Sequence, residues 1–360
     1  MQTKAVFLAI AMLSVPAMAQ SAAPVAAVPA SIAPESAPVP LRAYIPGSIS
    51  PEAAAIYTKY KAILLAPRQK PMTTPAEYAE LYATNEKNML PRAEAAIKQY
   101  GSIVTERVLG GVPTLEVRPR NYKDDGTVLI YAHGGGWVTG SARSSLPDAA
   151  VTADATGKRV ISVDYTVAPK GNWRIVTDQV VAVYKAVLAQ GVKAKHIGMF
   201  GGSAGANIVA AAALKIRDQG LRMPAALFLN CPMVDLTNSG DTSVTLAEAD
   251  PVLNPASVMP AIKLYVDDAD VKNPYASPIY GDFSKGYPPT LIQGGTKEWL
   301  LSDFVRIYQA IKTAGGNAEL DLYEGMPHGF TGIFASAPEG KAAQAEQLKF
   351  WAKYLPGRKK

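Results

Sequence analysis

The 360 residues hold one cysteine, Cys231, and three histidines, His133, His196 and His328. A single thiol excludes an intrachain disulfide. The Cys and His positions show no zinc-ligand spacing, so no metal site is expected. Cys231 ends the apolar run 225–231 and reads as a core residue rather than a nucleophile. The leading apolar run, residues 5–15, is too short to be a comfortable transmembrane span. Of the formal charge of +6, Arg358, Lys359 and Lys360 supply half. No basic helix or aromatic–basic stripe is present, which excludes nucleic acid as a partner. Internal repeats are also missing.

What is present begins with an address. Lys4, the apolar run 5–15 and the A-x-A pattern Ala17-Met18-Ala19 mark residues 1–19 as a cleavable leader. The expected product is a periplasmic or secreted bacterial protein with no stable membrane insertion after cleavage. Residues 20–40, rich in Ala, Pro, Ser and Val, read as a linker. Helices at 51–61 and 74–100 place a helical cap region at 41–100, with a structural belt as the alternative.

From residue 101 to 360 the pattern is that of a catalytic domain. Runs at 104–109 and 113–118, joined by Gly110-Gly111, predict a hairpin. Strands are then predicted at 128–131, 160–163, 197–200, 225–229, 290–293 and 318–323. Helices are predicted between and after them, at 142–155, 175–190, 204–218, 301–314 and 342–354. This alternation calls for an α/β fold, a mostly parallel eight-stranded sheet with helices on both faces. Such a sheet presents its active site at the carboxyl ends of its strands. Residues 234–285, with a helix at 256–266, interrupt the alternation and read as a cap insertion.

Two motifs fall at those carboxyl ends. Gly201-Gly202-Ser203-Ala204-Gly205 joins an apolar strand to an Ala-rich helix, the context of a nucleophile elbow. His133-Gly134-Gly135-Gly136-Trp137 follows an earlier strand. Its glycines free backbone N–H groups to meet the negative charge of an acyl-transfer intermediate. His133 is expected to orient that loop through its ring.

The serine needs a base. His196 lies before the elbow strand, at the wrong sheet end. His328 follows the last strand and is the one histidine downstream of Ser203, as the order Ser, acid, His requires. The acid should follow the strand at 290–293. Glu298 is nearer the strand end and is preferred, and Asp303 is the alternative as acid or supporting residue. Asp235 and Asp250 are weaker candidates. Trp137, Trp173 and Trp299 are candidates to line a pocket or to serve as packing.

These motifs, with Val163-Asp164-Tyr165-Thr166-Val167-Ala168-Pro169 and the stretch 294–303, occur in one order. In that order they resemble the hormone-sensitive-lipase-like branch of the α/β-hydrolase superfamily, over roughly residues 100–355. The resemblance implies an α/β-hydrolase fold, to which the helical region at 41–100 would add a cap, and the serine mechanism needs no metal or organic cofactor. It implies Ser203 as nucleophile, His328 as base, and the N–H groups of Gly135, Gly136 and Ala204 as the oxyanion hole. Three positions depart from the family pattern: Glu298 where Asp is usual, Gly202 where Asp or Thr is frequent, and Thr166 where Arg is frequent. The stretch 165–169 is taken as scaffold. The implied partner is a small-molecule carboxylic ester with a short to medium acyl chain, and homodimerisation is left open. A lactonase, amidase or peptidase using the same triad, or a catalytically silent binding protein, is the alternative.

Overall fold

Gly110 and Gly111 both adopt left-handed φ values, 60° and 80°. This lets β1 (Ile103–Leu109) turn into β2 (Val112–Arg118) through two residues, with Leu109 opposite Val112. In the computed structural model, which describes residues 40–68 and 70–357, this hairpin is the edge of an eight-stranded sheet. The leader at 1–19 and the linker as far as residue 39 lie outside the described residues. The remaining strands are β3 (Val128–Ala132), β4 (Arg159–Val163), β5 (Ile197–Gly202), β6 (Ala226–Asn230), β7 (Thr290–Gly295) and β8 (Ala318–Tyr323). Their order is β1-β2-β4-β3-β5-β6-β7-β8. Only β2 runs against its neighbours; β4, β3 and β5 to β8 are parallel.

The burial of β3 shows why the sheet needs two covering layers. Val128, Leu129, Ile130, Tyr131 and Ala132 are all buried, so side chains on both faces must be covered. On one face lie α4 (Trp173–Ala189), α5 (Ala204–Asp218) and α8 (Leu301–Thr313), which contribute Val180, Leu214 and Ile307 to the larger core. On the other, α3 (Leu146–Thr156) and α10 (Pro338–Tyr354) contribute Leu146 and Trp351. Capping chemistry sets several helix starts. Asn172 accepts from the N–H groups of Arg174 and Ile175, so α4 begins two residues before the periodic pattern suggests. Pro338 fills the first turn of α10 and starts it four residues early.

Ahead of the sheet lie α1 (Pro51–Leu65) and α2 (Pro75–Tyr100). Ser50 caps α1, and Thr74 with Glu77 forms a reciprocal capping box on α2. Ala53, Tyr57 and Leu64 of α1 pack with Met326, Phe330 and Phe334 from the loop after β8. Ala93 of α2 packs with Leu115, Val117 and Leu129 of the second core. Between β6 and β7 the long insertion holds α6 (Thr242–Thr245) and α7 (Pro255–Tyr265), and α9 (Phe330–Ile333) follows β8. Among the described residues no helix is long and apolar enough to cross a membrane.

Gly198 of β5 lies directly beneath Trp351 of α10. A Cβ at Gly198 would lie 2.6 Å from the Trp351 ring and 2.7 Å from Leu129 Cδ2. Gly198→Ala is therefore expected to lower stability by about 1–3 kcal/mol through overpacking, measured as a fall in the denaturant midpoint at unchanged m-value.

Candidate active site

The chain turns sharply at the end of β5. Ser203 has φ 55° and ψ −122°, a strained conformation for a residue with a side chain. The turn can be this tight because Gly205 has no Cβ; one would collide with the Ala132 carbonyl oxygen. The Ser203 N–H donates to Asn230 O at 2.8 Å, which ties the elbow to the end of β6. Ala204 opens α5, so its N–H has no acceptor within the helix. Gly202 departs from the family pattern and leaves open space, since a Cβ there would meet only Asn230 Nδ2 at 3.9 Å.

Strand β3 lies beside β5, but the chain passes through β4 on the other side of β3 before reaching β5. This reversal makes a crevice at the carboxyl ends, and the loop after β3 fills one side of it. A Cβ on Gly134 would lie 3.0 Å from Gly202 O and 3.6 Å from Ser203 Cβ, so loop and elbow are in contact. Gly135 (φ 110°) and Gly136 (φ 60°) take backbone values that side chains disfavour. The Gly135 carbonyl accepts from the N–H groups of Val138 and Thr139, which fixes the plane of the loop. His133 beneath it is fully buried, donates from Nδ1 to Gly134 O at 2.8 Å, and stacks on Tyr165 at 4.0 Å. Burial lowers its pKa, which favours the neutral ring.

The stretch read as scaffold braces this loop directly. Tyr165 donates its hydroxyl to His133 O at 2.8 Å, and Ala168 N–H donates to Trp137 O at 2.7 Å. Trp137 is buried and stacks on Tyr265 of the insertion at 5.0 Å. Trp173 and Trp299 are buried in the same core. All three tryptophans are packing residues.

Glu298 and His328 meet where the loops after β7 and β8 converge. His328 Nδ1 lies 2.8 Å from Glu298 Oε2, and Glu298 Oε1 accepts from Gly295 N–H at 2.7 Å. Burial pushes the Glu298 carboxyl up. For His328 burial acts the other way. The adjacent Cys231 sulfur and Glu298 carboxylate outweigh it and hold the imidazole well above its ordinary pKa. The other acids point elsewhere. Asp303 accepts from Val234 and Asp235 N–H at 2.6 and 2.9 Å, and burial raises its pKa to about 7. Asp250 accepts from Trp299 N–H, and Asp235 pairs with Arg306. His196 is half-buried at the amino end of β5.

Two features escaped the linear reading. The first is the N-terminal arm. Tyr57 donates to Gly325 O at 2.6 Å, and the Lys297 ammonium, its pKa lowered to about 8 by burial, donates to Arg42 O and Tyr44 O. The second is Cys231. Its backbone sits at φ 42° and its N–H donates to Gln293 O. One ligand atom each from Cys231, Glu298 and His328 lie within 4.8 Å of one another. Spacing along the chain could not reveal this cluster, because its members follow three different strands.

Comparison with known proteins agrees with this architecture. A family model described as alpha/beta hydrolase fold matches residues 129–332. An esterase of Acinetobacter venetianus is 34% identical over 250 residues, 66% of this chain and 82% of that protein. An acetyl-hydrolase of Streptomyces hygroscopicus is 32% identical over 253 residues, 70% of this chain and 84% of that one. The crystal structure of an esterase from the bacterial hormone-sensitive lipase family is 31% identical, with a TM-score of 0.73 over 85% of this chain and 99% of that one. The elbow, the glycine loop and the strand order thus make this chain a member of the α/β-hydrolase family, in its hormone-sensitive-lipase-like branch.

Proposed function

We propose that the protein is a serine carboxylesterase that cleaves short- to medium-chain esters through an acyl-enzyme. The observation that carries this reading is the 2.8 Å hydrogen bond between Glu298 and His328, made beyond the carboxyl ends of β7 and β8 in the sheet whose β5 ends at the strained Ser203. The Acinetobacter esterase and the Streptomyces acetyl-hydrolase support an ester substrate. Residues 1–19, read as a leader, would place the reaction in the periplasm or outside the cell.

In this mechanism neutral His328 accepts the Ser203 proton at Nε2 while Nδ1–H stays with Glu298. Ser203 Oγ attacks the ester carbonyl. Charge develops on the carbonyl oxygen, and the N–H groups of Gly135, Gly136 and Ala204 are assigned to meet it. Imidazolium then protonates the departing alcohol. Water, deprotonated by His328, releases the acid and restores the serine. Glu298 holds the ring in one tautomer and stabilises its cation. His133 and Gly134 set the plane of the donor loop.

Ser203→Ala is expected to abolish hydrolysis of p-nitrophenyl butyrate. Glu298→Gln should keep the fold and lower kcat about 10⁴-fold, because the imidazole loses its tautomer control. Asp303→Asn should instead cost about 1–3 kcal/mol of stability, by weakening a carboxylate that satisfies two buried N–H groups. Steady-state kinetics and denaturant titration on both variants separate the two roles; a collapse of kcat confined to Asp303→Asn would reassign the acid.

The pH profile carries a sign. The base form of His328 exists only above its pKa, and that pKa is raised by the Glu298 carboxylate and the Cys231 sulfur. The acid limb of kcat/KM should therefore lie above the ordinary imidazole value of about 6.5, with activity falling as pH drops through it. A limb at or below that value would show that the pair does not hold the proton.

A further inference from the structure

We propose that Cys231, Glu298 and His328 form a binding site for a soft divalent cation of the zinc type, and that its occupancy switches the hydrolase off. The inhibitory consequence rests on the triad reading above; the binding rests on the geometry of the three side chains.

Each donor comes from a different loop: the thiol from the loop after β6, the carboxylate from that after β7, the imidazole from that after β8. All three are buried, with 2%, 0% and 7% of their surface exposed respectively. Thiolate, imidazole and carboxylate are a zinc donor set, with bonds of about 2.3 Å to sulfur and about 2.0–2.2 Å to nitrogen and oxygen. Tetrahedral donors at those lengths stand about 3.5 Å apart. The atoms already lie within 4.8 Å of one another, so side-chain shifts of roughly 1 Å would close the set.

Charge balance favours the same occupant. On binding, the thiol gives its proton to solvent and Glu298 supplies a second negative charge. Together they neutralise a divalent cation beside a neutral imidazole, so no net charge is left buried. A thiolate selects a soft ion over Mg²⁺ or Ca²⁺, which take oxygen ligands. In ester hydrolysis by Ser203, His328 and Glu298 the sulfur forms and breaks no bond.

Either ring nitrogen gives the same outcome. A metal on Nδ1 replaces the Glu298 hydrogen bond and leaves the ring proton on Nε2, where it blocks transfer from Ser203. On Nε2, the metal occupies the lone pair that would accept the serine proton.

The test uses the purified full chain and two metals. Cys231 is the only cysteine, so a thiolate-to-cobalt absorption band on adding Co²⁺ reports this thiol alone. The band is expected in wild type and in Ser203→Ala, with Zn²⁺ displacing it. It should be weakened in His328→Gln. With p-nitrophenyl butyrate, Zn²⁺ should inhibit the wild type reversibly, EDTA restoring the rate. Cys231→Ala should need about 100-fold more zinc for half-inhibition, measured against its own zinc-free rate. Cys231→Ser should behave the same way and serves if the alanine variant does not fold. A folded wild type with no cobalt band, or a zinc midpoint unmoved in both cysteine variants, would overturn the proposal. If the chain hydrolyses no ester, the cobalt band still decides the binding, so the two readings fail separately.

Discussion

The candidate site is built around one hydrogen bond, that between the fully buried carboxylate of Glu298 and the imidazole of His328. In water such a pair would contribute little, since solvent screens both partners. Within the converging loops the carboxylate has no competing solvent, and its second oxygen is held by Gly295 N–H. The approach is close because Gly295 has no side chain; a Cβ there would strike the Met326 carbonyl. Two strand ends and a glycine thus set the position of one proton.

The rest of the molecule supports that pair from several directions. Asn230, at the end of β6, accepts from Ser203 N–H and donates through its side chain to Thr331, three residues beyond His328. Ser203 and the loop that carries His328 are referenced to the same residue. From outside, α1 lays Tyr57 over the loop before His328, while Lys297 ties the loop before Glu298 to the chain at Arg42 and Tyr44. Arg68 reaches the carbonyls of Ala247, Asp250 and Leu253 in the insertion, and Asp250 in turn accepts from Trp299 N–H beside the acid. The arm that precedes the sheet therefore braces both loops that carry Glu298 and His328.

Much of this was legible in the chain because the signals are local. Alternating apolar strands and helices specify the eight-stranded sheet, and Gly110-Gly111 specifies the hairpin. Ser203 is marked by the glycines that its backbone conformation requires. The choice between Glu298 and Asp303 was only half legible. Both follow β7, and what separates them is that Glu298 is in the loop beside His328 while Asp303 is in the first turn of α8, accepting from the backbone of Val234 and Asp235. Cys231 was illegible as a neighbour of the triad. It reads as the end of an apolar strand, and only parallel pairing of β6 with β5 and β7 carries it to the site. The bracing by Tyr165 and Tyr57 was hidden for the same reason, as the bonded residues are 32 and 268 positions apart.

In the proposed mechanism His328, held by Glu298, makes the Ser203 oxygen a nucleophile. Reaction with an alkyl fluorophosphonate, followed by peptide mass spectrometry across a pH series, tests it most directly. The expected product is a single phosphonyl adduct on Ser203, formed at a rate that rises with pH as His328 loses its proton. No adduct on the folded protein, or one on another residue at a rate indifferent to pH, would contradict that mechanism.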